Sequence, residues 1–411
     1  MKSSQQELIV GLDIGSTKVC VVVGRQGEDG IEIIGVGQSQ SHGLKNGMIV
    51  NIESTAAAIR RAVNEAELMA GCEVNNVVVG IADKFIYGQN SLGVVRVKHG
   101  EVTEQDIHRV IESAQAVPLP PNREILHIIP REFIIDEQNE ISHPLGMTCS
   151  RLEVKLHLVT AASTSIKNIT KACHLAGLEA SSIVLQSIAS AEAVLMTDER
   201  ELGVALIDIG GGTTDIAVIS NNALWHTAEI SMAGNHLTGD LAVGMRILIN
   251  EAESIKRAHG CCQKSMVDKD EQVGITTTGH NSGRQLSRQT MAMILQARAE
   301  ELFSLIDREL HRSGHSGELV AGAVITGGTS LLSGMEELAE RTLNMPVRIG
   351  RSTNVRGLAD MVSQPIYSTG VGLVLYGAKN AHVPKKPKPR INTGELMRII
   401  AEVQRVLKEF F

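Results

Sequence analysis

The stretch of sequence that decides the fold is Leu206-Ile-Asp-Ile-Gly-Gly-Gly-Thr-Thr-Asp215. Its apolar residues predict a buried strand that ends in a carboxylate, Asp208, and a second strand follows over Ile216–Ser220. The glycines between the strands leave backbone N–H groups uncovered, so this turn can close on an anion. A carboxylate beside a bound phosphate is typical of Mg²⁺ sites, because this ion binds through one or two carboxylates, water and phosphate oxygens.

The same arrangement occurs near the N-terminus, in Ile9-Val-Gly-Leu-Asp-Ile-Gly-Ser-Thr-Lys18. An apolar strand again ends in an aspartate, Asp13, and a glycine and two hydroxyl residues precede a second strand over Val19–Val23. For either copy alone, the alternative is an ordinary β-hairpin with a glycine turn. The paired occurrence instead indicates two similar lobes that face one ligand, with a shared phosphate and metal site.

Composition bounds the class of protein. The 411 residues are enough for two to four domains with a sizeable core. A net charge of −7 argues against a general nucleic-acid binder, and the sequence has neither a membrane-spanning apolar run nor a secretory signal. The six cysteines form no CxxC pair, so neither a zinc ribbon nor a redox motif is indicated, and a reducing cytoplasm fits.

Changes of pattern along the chain predict its domains. Strands, a helix over Glu53–Ala70 and a short strand at Val77–Gly80 make the first section α/β. Alternating strand-like runs then surround one helix, which begins with a capping box of Thr103 and Asp106. We therefore predict a first lobe over 1–80 plus 161–203, a small inserted α+β subdomain over 81–160, and a second lobe over 204–380.

Two features of the second lobe follow its glycine motif. Ala233-Gly-Asn235 opens a helix whose first N–H groups are suited to a phosphate. Further on, Glu253 and Lys256 lie on one helical face at i, i+3. The usual interpretation of such a pair is a solvated surface ion pair.

A third glycine-rich turn, Thr326-Gly-Gly-Thr-Ser330, follows an apolar strand over Leu319–Ile325 and carries no carboxylate. This turn suits the close approach of a flat or sugar-like part of a ligand. Before it, Ser287 is the predicted N-cap of a long amphipathic helix that ends near Arg312.

The end of the chain has a different composition. Residues 381–392 are rich in proline and lysine, which predicts a linker without a core. Residues 393–411 predict an amphipathic helix. Its apolar side is suited to the headgroup region of an anionic membrane, and the alternative is docking on the protein itself or on another copy. The predicted membrane-facing residues are Leu396, Ile399, Ile400, Val403, Val406, Leu407, Phe410 and Phe411.

The three glycine motifs, their order and the duplicated lobes resemble the superfamily of actin, Hsp70 and sugar-kinase ATPases over about residues 8–380. More closely, the chain resembles the FtsA family of bacterial cell-division proteins, through the two aspartate loops and Gly43–Asn51, Ala233–Asn235 and Tyr367–Leu373. The resemblance implies an α/β, actin-like two-lobed ATPase fold with ribonuclease-H-like lobes. It also implies an inserted subdomain, called 1C, and a C-terminal membrane-targeting helix.

This resemblance implies ATP with Mg²⁺ in the cleft between the lobes. Asp13 and Asp208 would hold the metal ion, partly through water. Glu253, Lys256 and the third glycine turn would contact the adenosine. The implied nucleotide-binding residues are Asp13, Gly15, Ser16, Thr17, Lys18, Gly210, Gly211, Gly212, Thr213, Thr214, Gly234, Asn235, Glu253, Lys256, Gly327, Gly328 and Thr329.

Relatives that hydrolyse ATP carry a Gln or Glu that orients the attacking water. Gln186 is the residue nearest to that position, and its match to the family pattern is loose. We therefore predict ATP binding with weak turnover or none, and a nucleotide that closes the lobes and licenses assembly.

The resemblance also implies a membrane-bound function at the division septum. The protein would form filaments with itself on the cytoplasmic face of the anionic inner membrane and tether the ring of the tubulin-like protein FtsZ. The FtsZ C-terminal peptide would bind the second lobe, with Arg284 and Arg298 as candidate contacts whose alternative is solvated surface. Subdomain 1C would contact later division proteins such as FtsN, and no nucleic acid is expected as a partner.

Two other functions remain open at this point. A small-molecule kinase of the same superfamily would transfer phosphate to a sugar-like acceptor, but the sequence shows no acidic general base for such an acceptor and gives the tail no purpose. An Hsp70-like chaperone would need a substrate-binding β-domain after residue 380, and the sequence shows none.

Overall fold

The structure is a computed structural model that describes residues 8–28, 30–275 and 284–380. The predicted linker and the predicted membrane-facing residues lie outside this range. The elements up to residue 162 are β1 (Leu8–Ile14), β2 (Lys18–Gly27), β3 (Gly30–Gln40), β4 (Leu44–Lys45), β5 (Met48–Ile49), α1 (Ile52–Ala70), β6 (Asn76–Ile81), β7 (Tyr87–Arg96), α2 (Glu104–Gln115), β8 (Arg123–Ile135), β9 (Gln138–Ile141) and β10 (Arg151–Ala162).

The remaining helices and strands lead through the second lobe. They are α3 (Ser163–Leu175), β11 (Glu179–Leu185), α4 (Gln186–Val194), α5 (Thr197–Leu202), β12 (Val204–Ile209), β13 (Thr214–Ser220), β14 (Ala223–Ile230), α6 (Gly234–Met245), α7 (Ile249–His259), β15 (Gln272–Ile275), β16 (Arg284–Ser287), α8 (Arg288–Arg312), β17 (Ala323–Thr326), α9 (Met335–Leu343), β18 (Val347–Ile349), β19 (Val355–Gly357), α10 (Ala359–Val362) and α11 (Ser368–Asn380).

Local capping explains where several helices begin and end. The predicted capping box of α2 is confirmed, with reciprocal hydrogen bonds between Thr103 and Asp106. The predicted N-cap of α8 is confirmed as well, because the Ser287 side chain accepts the backbone N–H of Thr290. Helix α1 ends at Gly71, whose φ of 66° is the left-handed conformation that glycine adopts without strain.

Two sheets share one plan and confirm the prediction of two similar lobes. The first has the order β11-β6-β1-β2-β3-β19, and the second has the order β14-β13-β12-β17-β18. In each, the strand that ends in the aspartate pairs antiparallel with the strand after the glycine turn, so Asp13 lies opposite Cys20 and Asp208 lies opposite Asp215. Each also has a parallel neighbour, β6 or β17, on its other side.

One strand crosses between the predicted lobes. We assigned residues 204–380 to the second lobe, but β19 pairs in parallel with β3 at the edge of the first sheet. The last described helix, α11, packs close to β1, where a Cβ on Gly11 would meet the backbone of Gly370. Val371 and Val374 of α11 belong to a core that also contains Val22 of the first sheet and Leu206 of the second.

The inserted subdomain has its own sheet, with the order β7-β10-β8-β9. Helix α2 covers one face, where Gly93 lies against the backbone of Val110. Strands β7, β8 and β10 also pack against β14, the edge strand of the second sheet. Within the described part of the chain, every helix is too short or too polar to cross a membrane.

Candidate nucleotide and metal site

The two aspartate loops meet across the cleft between the sheets. A Cβ on Gly211 would overlap the side chain of Thr17, and a Cβ on Gly212 would overlap that of Ser16. Only glycine therefore allows the two turns to approach this closely. The Ser16 hydroxyl accepts the backbone N–H of Gly47 at 3.0 Å, which fixes the first loop against the segment that follows β4.

The second loop also supports the start of α6 and the third glycine turn. The carbonyl oxygens of Gly210 and Gly211 accept the N–H groups of Gly234 at 3.1 Å and Asn235 at 2.7 Å. The first of these oxygens also accepts the hydroxyl of Thr329 at 2.7 Å. These two N–H groups hold the site together, so they are not available to a phosphate as the sequence had suggested.

Two buried carboxylates, Asp13 and Asp208, stand at the ends of β1 and β12. Burial raises the pKa of Asp13 to about 6; the Lys18 charge opposes this shift and the Asp208 charge adds to it. Burial also raises the pKa of Asp208, although hydrogen bonds from Ser190 at 2.6 Å and Thr369 at 3.2 Å favour its charged form. The charged form of each carboxylate is therefore destabilised by burial, and its neighbours do not fully offset that effect.

The neighbours of these carboxylates leave room for a cation. The Nε2 group of Gln186 donates to Asp13 Oδ1 at 3.0 Å. Among the described residues, the other oxygen of each aspartate accepts no hydrogen bond. In the same part of the chain, no three His, Cys, Asp or Glu side chains are arranged to hold a metal ion. Two carboxylates completed by water and phosphate oxygens fit Mg²⁺, which prefers this mixture of ligands.

A third carboxylate, Asp215, lines the cleft together with Asp13 and Asp208, and it was not among the predicted site residues. It is buried, and burial followed by the charge of Asp208 raises its pKa. The Thr213 hydroxyl donates to it at 3.3 Å. The hairpin register places Asp215 directly opposite Asp208. Antiparallel pairing of the two strands of this motif would therefore have predicted that Asp215 lies beside the site.

Lys256 is only 6% exposed, so the interpretation of a solvated ion pair is wrong. Its Nζ group donates to Glu253 at 2.6 Å, to the Thr238 hydroxyl at 2.7 Å and to the Gly234 carbonyl at 3.1 Å. Burial lowers the pKa of Lys256, and the bond to Glu253 opposes that shift. The pair thus fixes α7 against the start of α6 at the wall of the cleft.

The cleft encloses a cavity of about 390 Å³. Almost all of the predicted nucleotide and metal residues line it, together with Gln186. Thr214 does not, because its hydroxyl is buried and donates to the Met232 carbonyl at 2.7 Å. Lining residues that the sequence analysis missed are Gln38, Asp215, Arg257, Leu331, Leu332, Pro365, Ile366 and Thr369.

Of the two predicted peptide contacts, Arg298 does not line this cavity. Arg298 donates to Asp240 at 2.5 and 3.1 Å and to Glu301 at 2.6 Å, and the bonds to Asp240 raise the pKa of Arg298. Arg298 is therefore held on the second lobe by two acids. The side chain of Arg284 lies outside the described residues.

Sequence comparisons identify relatives over most of the chain. A family model described as Cell division protein FtsA matches residues 205–372, and one described as the SHS2 domain inserted in FTSA matches residues 84–160. The chain is 46% identical over 372 residues to the cell division protein FtsA of Pseudomonas aeruginosa, covering 90% of this chain and 89% of that protein. It is 40% identical over 391 residues to that of Escherichia coli, covering 93% of each.

Comparison with solved structures identifies the fold. The PilM-PilN type IV pilus biogenesis complex matches with a TM-score of 0.65 at 16% identity, over 90% of this chain and 98% of that chain. MreB5 of Spiroplasma citri bound to ADP matches with a TM-score of 0.58 at 15% identity, over 92% of this chain and 99% of that chain. The predicted actin-like ATPase fold is therefore confirmed.

Proposed function

The chain belongs to the family of cell division protein FtsA, and from this membership we propose that it binds ATP with Mg²⁺ in the cleft between its lobes. The observation that carries the nucleotide proposal is the pair of glycine loops in contact, each following a buried aspartate. These loops bring backbone N–H groups and hydroxyls to one cavity. Burial destabilises the charged forms of Asp13 and Asp208. The metal ion of a metal–phosphate ligand would stabilise those charges.

Different residues of the cleft would bind different parts of the ligand. Asp13 and Asp208 would hold Mg²⁺ partly through water, and the metal ion would neutralise phosphate charge. The loops at Gly15–Lys18 and Gly210–Thr213 would hold the phosphates. The Glu253–Lys256 pair and the turn at Gly327–Thr329 would contact the adenosine.

The position of Gln186 supports weak turnover. Its Nε2 group already donates to Asp13, so this side chain is held beside the metal position rather than free to follow a water. We propose that bound nucleotide acts mainly by closing the lobes. Single-turnover kinetics test the role of Gln186: Gln186→Ala should leave both the ATP affinity and the slow hydrolysis rate within about twofold, and a tenfold fall in the hydrolysis rate would show that Gln186 does orient the attacking water.

We further propose that the protein is a peripheral tether at the cytoplasmic face of the inner membrane, at the division septum. This rests on family membership and on the amphipathic sequence of residues 393–411. A variant lacking residues 391–411 should no longer sediment with anionic liposomes. A second variant, Leu396→Ala with Val403→Ala in the full chain, should bind more weakly than the native protein because it loses buried apolar area. Undiminished binding of the truncated protein would rule out this tether.

We propose that nucleotide-bound protein forms filaments on such a membrane and recruits later division proteins, such as FtsN, through subdomain 1C. Electron microscopy of the protein on an anionic lipid monolayer tests the assembly. Filaments should form with ATP and Mg²⁺ and should be lost when Asp208 is replaced by Ala. Filaments that form equally without nucleotide would overturn the role given to the cleft.

We propose that the FtsZ C-terminal peptide binds an apolar patch formed by four exposed residues of the second lobe. They are Val243, Leu248, Ile249 and Met293, which are 79%, 60%, 58% and 48% exposed. Helices α6 and α8 meet beside it, where Gly244 contacts Ile294. Arg298 follows Met293 by five residues on α8, and its charge is paired with Asp240 and Glu301, so the apolar residues carry this proposal.

A peptide titration tests this surface. Val243→Asp should weaken binding of a synthetic FtsZ C-terminal peptide by about tenfold or more, because it places a charge in an apolar contact. Val320→Asp is the control, since Val320 is exposed and lies outside the patch. Equal weakening by both variants would show that the patch is not the docking surface.

A further inference from the structure

Helix α4 holds both carboxylates that we propose bind the metal ion. Its first residue, Gln186, donates from Nε2 to Asp13 Oδ1 at 3.0 Å. One turn later, the Ser190 hydroxyl donates to Asp208 Oδ2 at 2.6 Å. Residues four apart lie on the same face of a helix, so one rigid element carries both donors. The position of α4 therefore fixes one oxygen of each aspartate.

Helix α11 supports the same site. A Cβ on Gly372 would lie 1.7 Å from the Ala189 carbonyl oxygen, so only glycine allows α11 to pack this closely on α4. Near the start of α11, the Thr369 hydroxyl donates to Asp208 Oδ2 at 3.2 Å. The same hydroxyl lies 3.1 Å from that of Ser190. A displacement of either helix would therefore move a donor away from Asp208.

The junction between β11 and α4 is held by a residue of the inserted subdomain. Leu185 is the last residue of β11, the outermost strand of the first sheet, and it is also the N-cap of α4. It is only 3% exposed, so its N–H group needs a partner within the protein. That partner is Nε2 of His127 on β8, which accepts the N–H at 3.0 Å. His127 thus pairs the edge of the sheet at the point where α4 begins.

His127 is held in the form that accepts a hydrogen bond. It is buried, and burial lowers its pKa to about 4, so the ring is neutral at physiological pH. Since Nε2 accepts a backbone N–H, the ring proton lies on Nδ1. The ring of Tyr376 on α11 packs against His127 edge to face, with 6.2 Å between the two centroids. One histidine therefore contacts both α11 and the start of α4.

We propose that His127 is a positioning residue of the metal site, through which the inserted subdomain sets the affinity of the cleft for Mg²⁺. This inference rests on the proposed function, the binding of Mg-ATP at Asp13 and Asp208. His127 does not line the cleft, so it acts only through the helices that orient the two carboxylates. Loss of the acceptor leaves a buried N–H unpaired, and α4 shifts until that group is solvated. The phosphate loops contact each other directly and keep their place, so ATP without metal should bind as before.

The metal dependence of ATP binding measures this role. The full-length protein is titrated by calorimetry with ATP in excess Mg²⁺ and with ATP in a chelator, and the ratio of the two dissociation constants gives the contribution of the metal ion. We expect His127→Leu, which removes the acceptor, to reduce that ratio by about five- to tenfold. His127→Gln should restore most of it, because its amide oxygen can accept the Leu185 N–H.

Thr103→Ala is the matched control. It removes the capping box of α2, so it destabilises the same subdomain away from the junction with α4. We expect this variant to keep the native ratio of dissociation constants. A defect that only loosened the inserted subdomain would instead change both variants alike.

Hydrogen–deuterium exchange tests the coupling in the native protein without any substitution. Coupling between two sites is reciprocal, so a metal ion in the cleft should slow exchange around His127. The segment to follow is residues 125–130, which lie outside the lining of the cleft. ATP with Mg²⁺ should slow exchange of this segment more than ATP with a chelator does.

Four results would overturn this inference and leave Mg-ATP binding in the cleft standing. They are native metal dependence in a folded His127→Leu protein, an equal loss in Thr103→Ala, no recovery in His127→Gln, and exchange at residues 125–130 that is unchanged by Mg²⁺. If the native protein bound ATP equally well with and without Mg²⁺, the proposed metal site itself would be wrong, and the role of His127 would be wrong with it.

Discussion

His157 of the inserted subdomain and Thr227 of the second lobe form a buried hydrogen bond, with 3.0 Å between Nε2 and Oγ1. The other ring nitrogen lies 2.7 Å from Asn90 Oδ1, a carbonyl oxygen that can only accept. Nδ1 therefore carries the proton, and Thr227 donates to Nε2. Because this link joins β10 to β14, it holds the inserted subdomain against the strand pair that follows the second phosphate loop.

The first prediction concerns the strength of this link. Thr227→Val keeps the shape of the side chain but removes the donor, and leaves a buried imidazole nitrogen without a partner. We expect a loss of about 1–3 kcal/mol in the free energy of unfolding, measured by urea titration. Thr353→Val, at an exposed position, is the control and should change little. A Thr227 variant as stable as the control would show that the hydrogen bond contributes nothing.

The second prediction concerns the loss of stability at acidic pH. Burial lowers the pKa of His157 to about 3, and the charges of His226 and Arg131 add to the shift. A depressed pKa means that this contribution to stability is present above the unfolded value of about 6.5 and is lost as pH falls from there towards 3. Between pH 7 and pH 5 the native protein should lose about 2 kcal/mol more than His157→Gln. Exposed His99→Gln should keep the native acid dependence.

The third prediction concerns a contribution to stability that is lost as pH rises. Glu229 lies opposite Asp215 in β14, and both its carboxylate oxygens are buried without a partner among the described residues. Burial, followed by the charges of Asp215 and Asp83, raises its pKa to about 9. Stability is then fully present below the unfolded value of about 4.5 and is lost as pH rises towards 9. Glu229→Gln should therefore be more stable than the native protein at pH 8, by on the order of 1–3 kcal/mol, and similar to it at pH 4.5.

Glu309 provides the control for that measurement. Burial acts to raise its pKa, but hydrogen bonds from Arg312 and His226 outweigh burial and lower it. Glu309→Gln should thus destabilise the protein at pH 8, where Glu229→Gln stabilises it. If both substitutions changed stability in the same direction, the charge argument for Glu229 would be wrong.

Local signals explain how much could be predicted. The capping box at Thr103 and the N-cap at Ser287 act within three residues, so sequence alone located both helix starts. The two aspartate loops were found because each hairpin repeats the same order of apolar, acidic and glycine residues. Their contact across the cleft followed from the duplication itself. Each of these inferences used only short-range chemistry.

The missed features depend on pairing at long range. Strand β19 joins β3 across more than three hundred residues, and no periodicity in Val355–Gly357 indicates that partner. The strand predicted over Leu319–Ile325 begins only at Ala323, because a 3-10 helix at Ser316–Glu318 and a turn at Val320 and Ala321 precede it. The carbonyl groups that occupy the first N–H groups of α6 come from a loop more than twenty residues away.

The fourth prediction uses the pKa of Asp13, which burial raises to about 6 despite the Lys18 charge. Below pH 6 this carboxyl is mostly protonated, and a metal ion must displace the proton. The affinity for Mg-ATP should therefore fall by up to about tenfold per pH unit below 6, measured by calorimetry. ATP titrated with a chelator and no Mg²⁺ is the control and should show a smaller decline. Equal declines with and without the metal ion would contradict the role of Asp13.

The last prediction separates ligand binding from folding at Asp208. Asp208→Ala should abolish Mg-ATP binding in calorimetry, because it removes one of the two carboxylates that we propose hold the metal ion. The lobe should remain folded, since Ser190 and Thr369, which donate to this carboxylate, lie 3.1 Å apart and can bond to each other. Loss of a buried carboxylate with a raised pKa also removes a cost of charge. The free energy of unfolding without ligand should therefore stay close to the native value.

Asp198→Ala, on the exposed surface of α5, is the matched control and should bind Mg-ATP like the native protein. If Asp208→Ala bound Mg-ATP with native affinity, the metal assignment would be wrong even though the fold were intact. If it lost both binding and stability, Asp208→Asn would decide between the two effects, because the amide oxygen still accepts from both hydroxyls while the negative charge is gone. Weak Mg-ATP binding by a stable Asp208→Asn variant would assign the lost affinity to the charge.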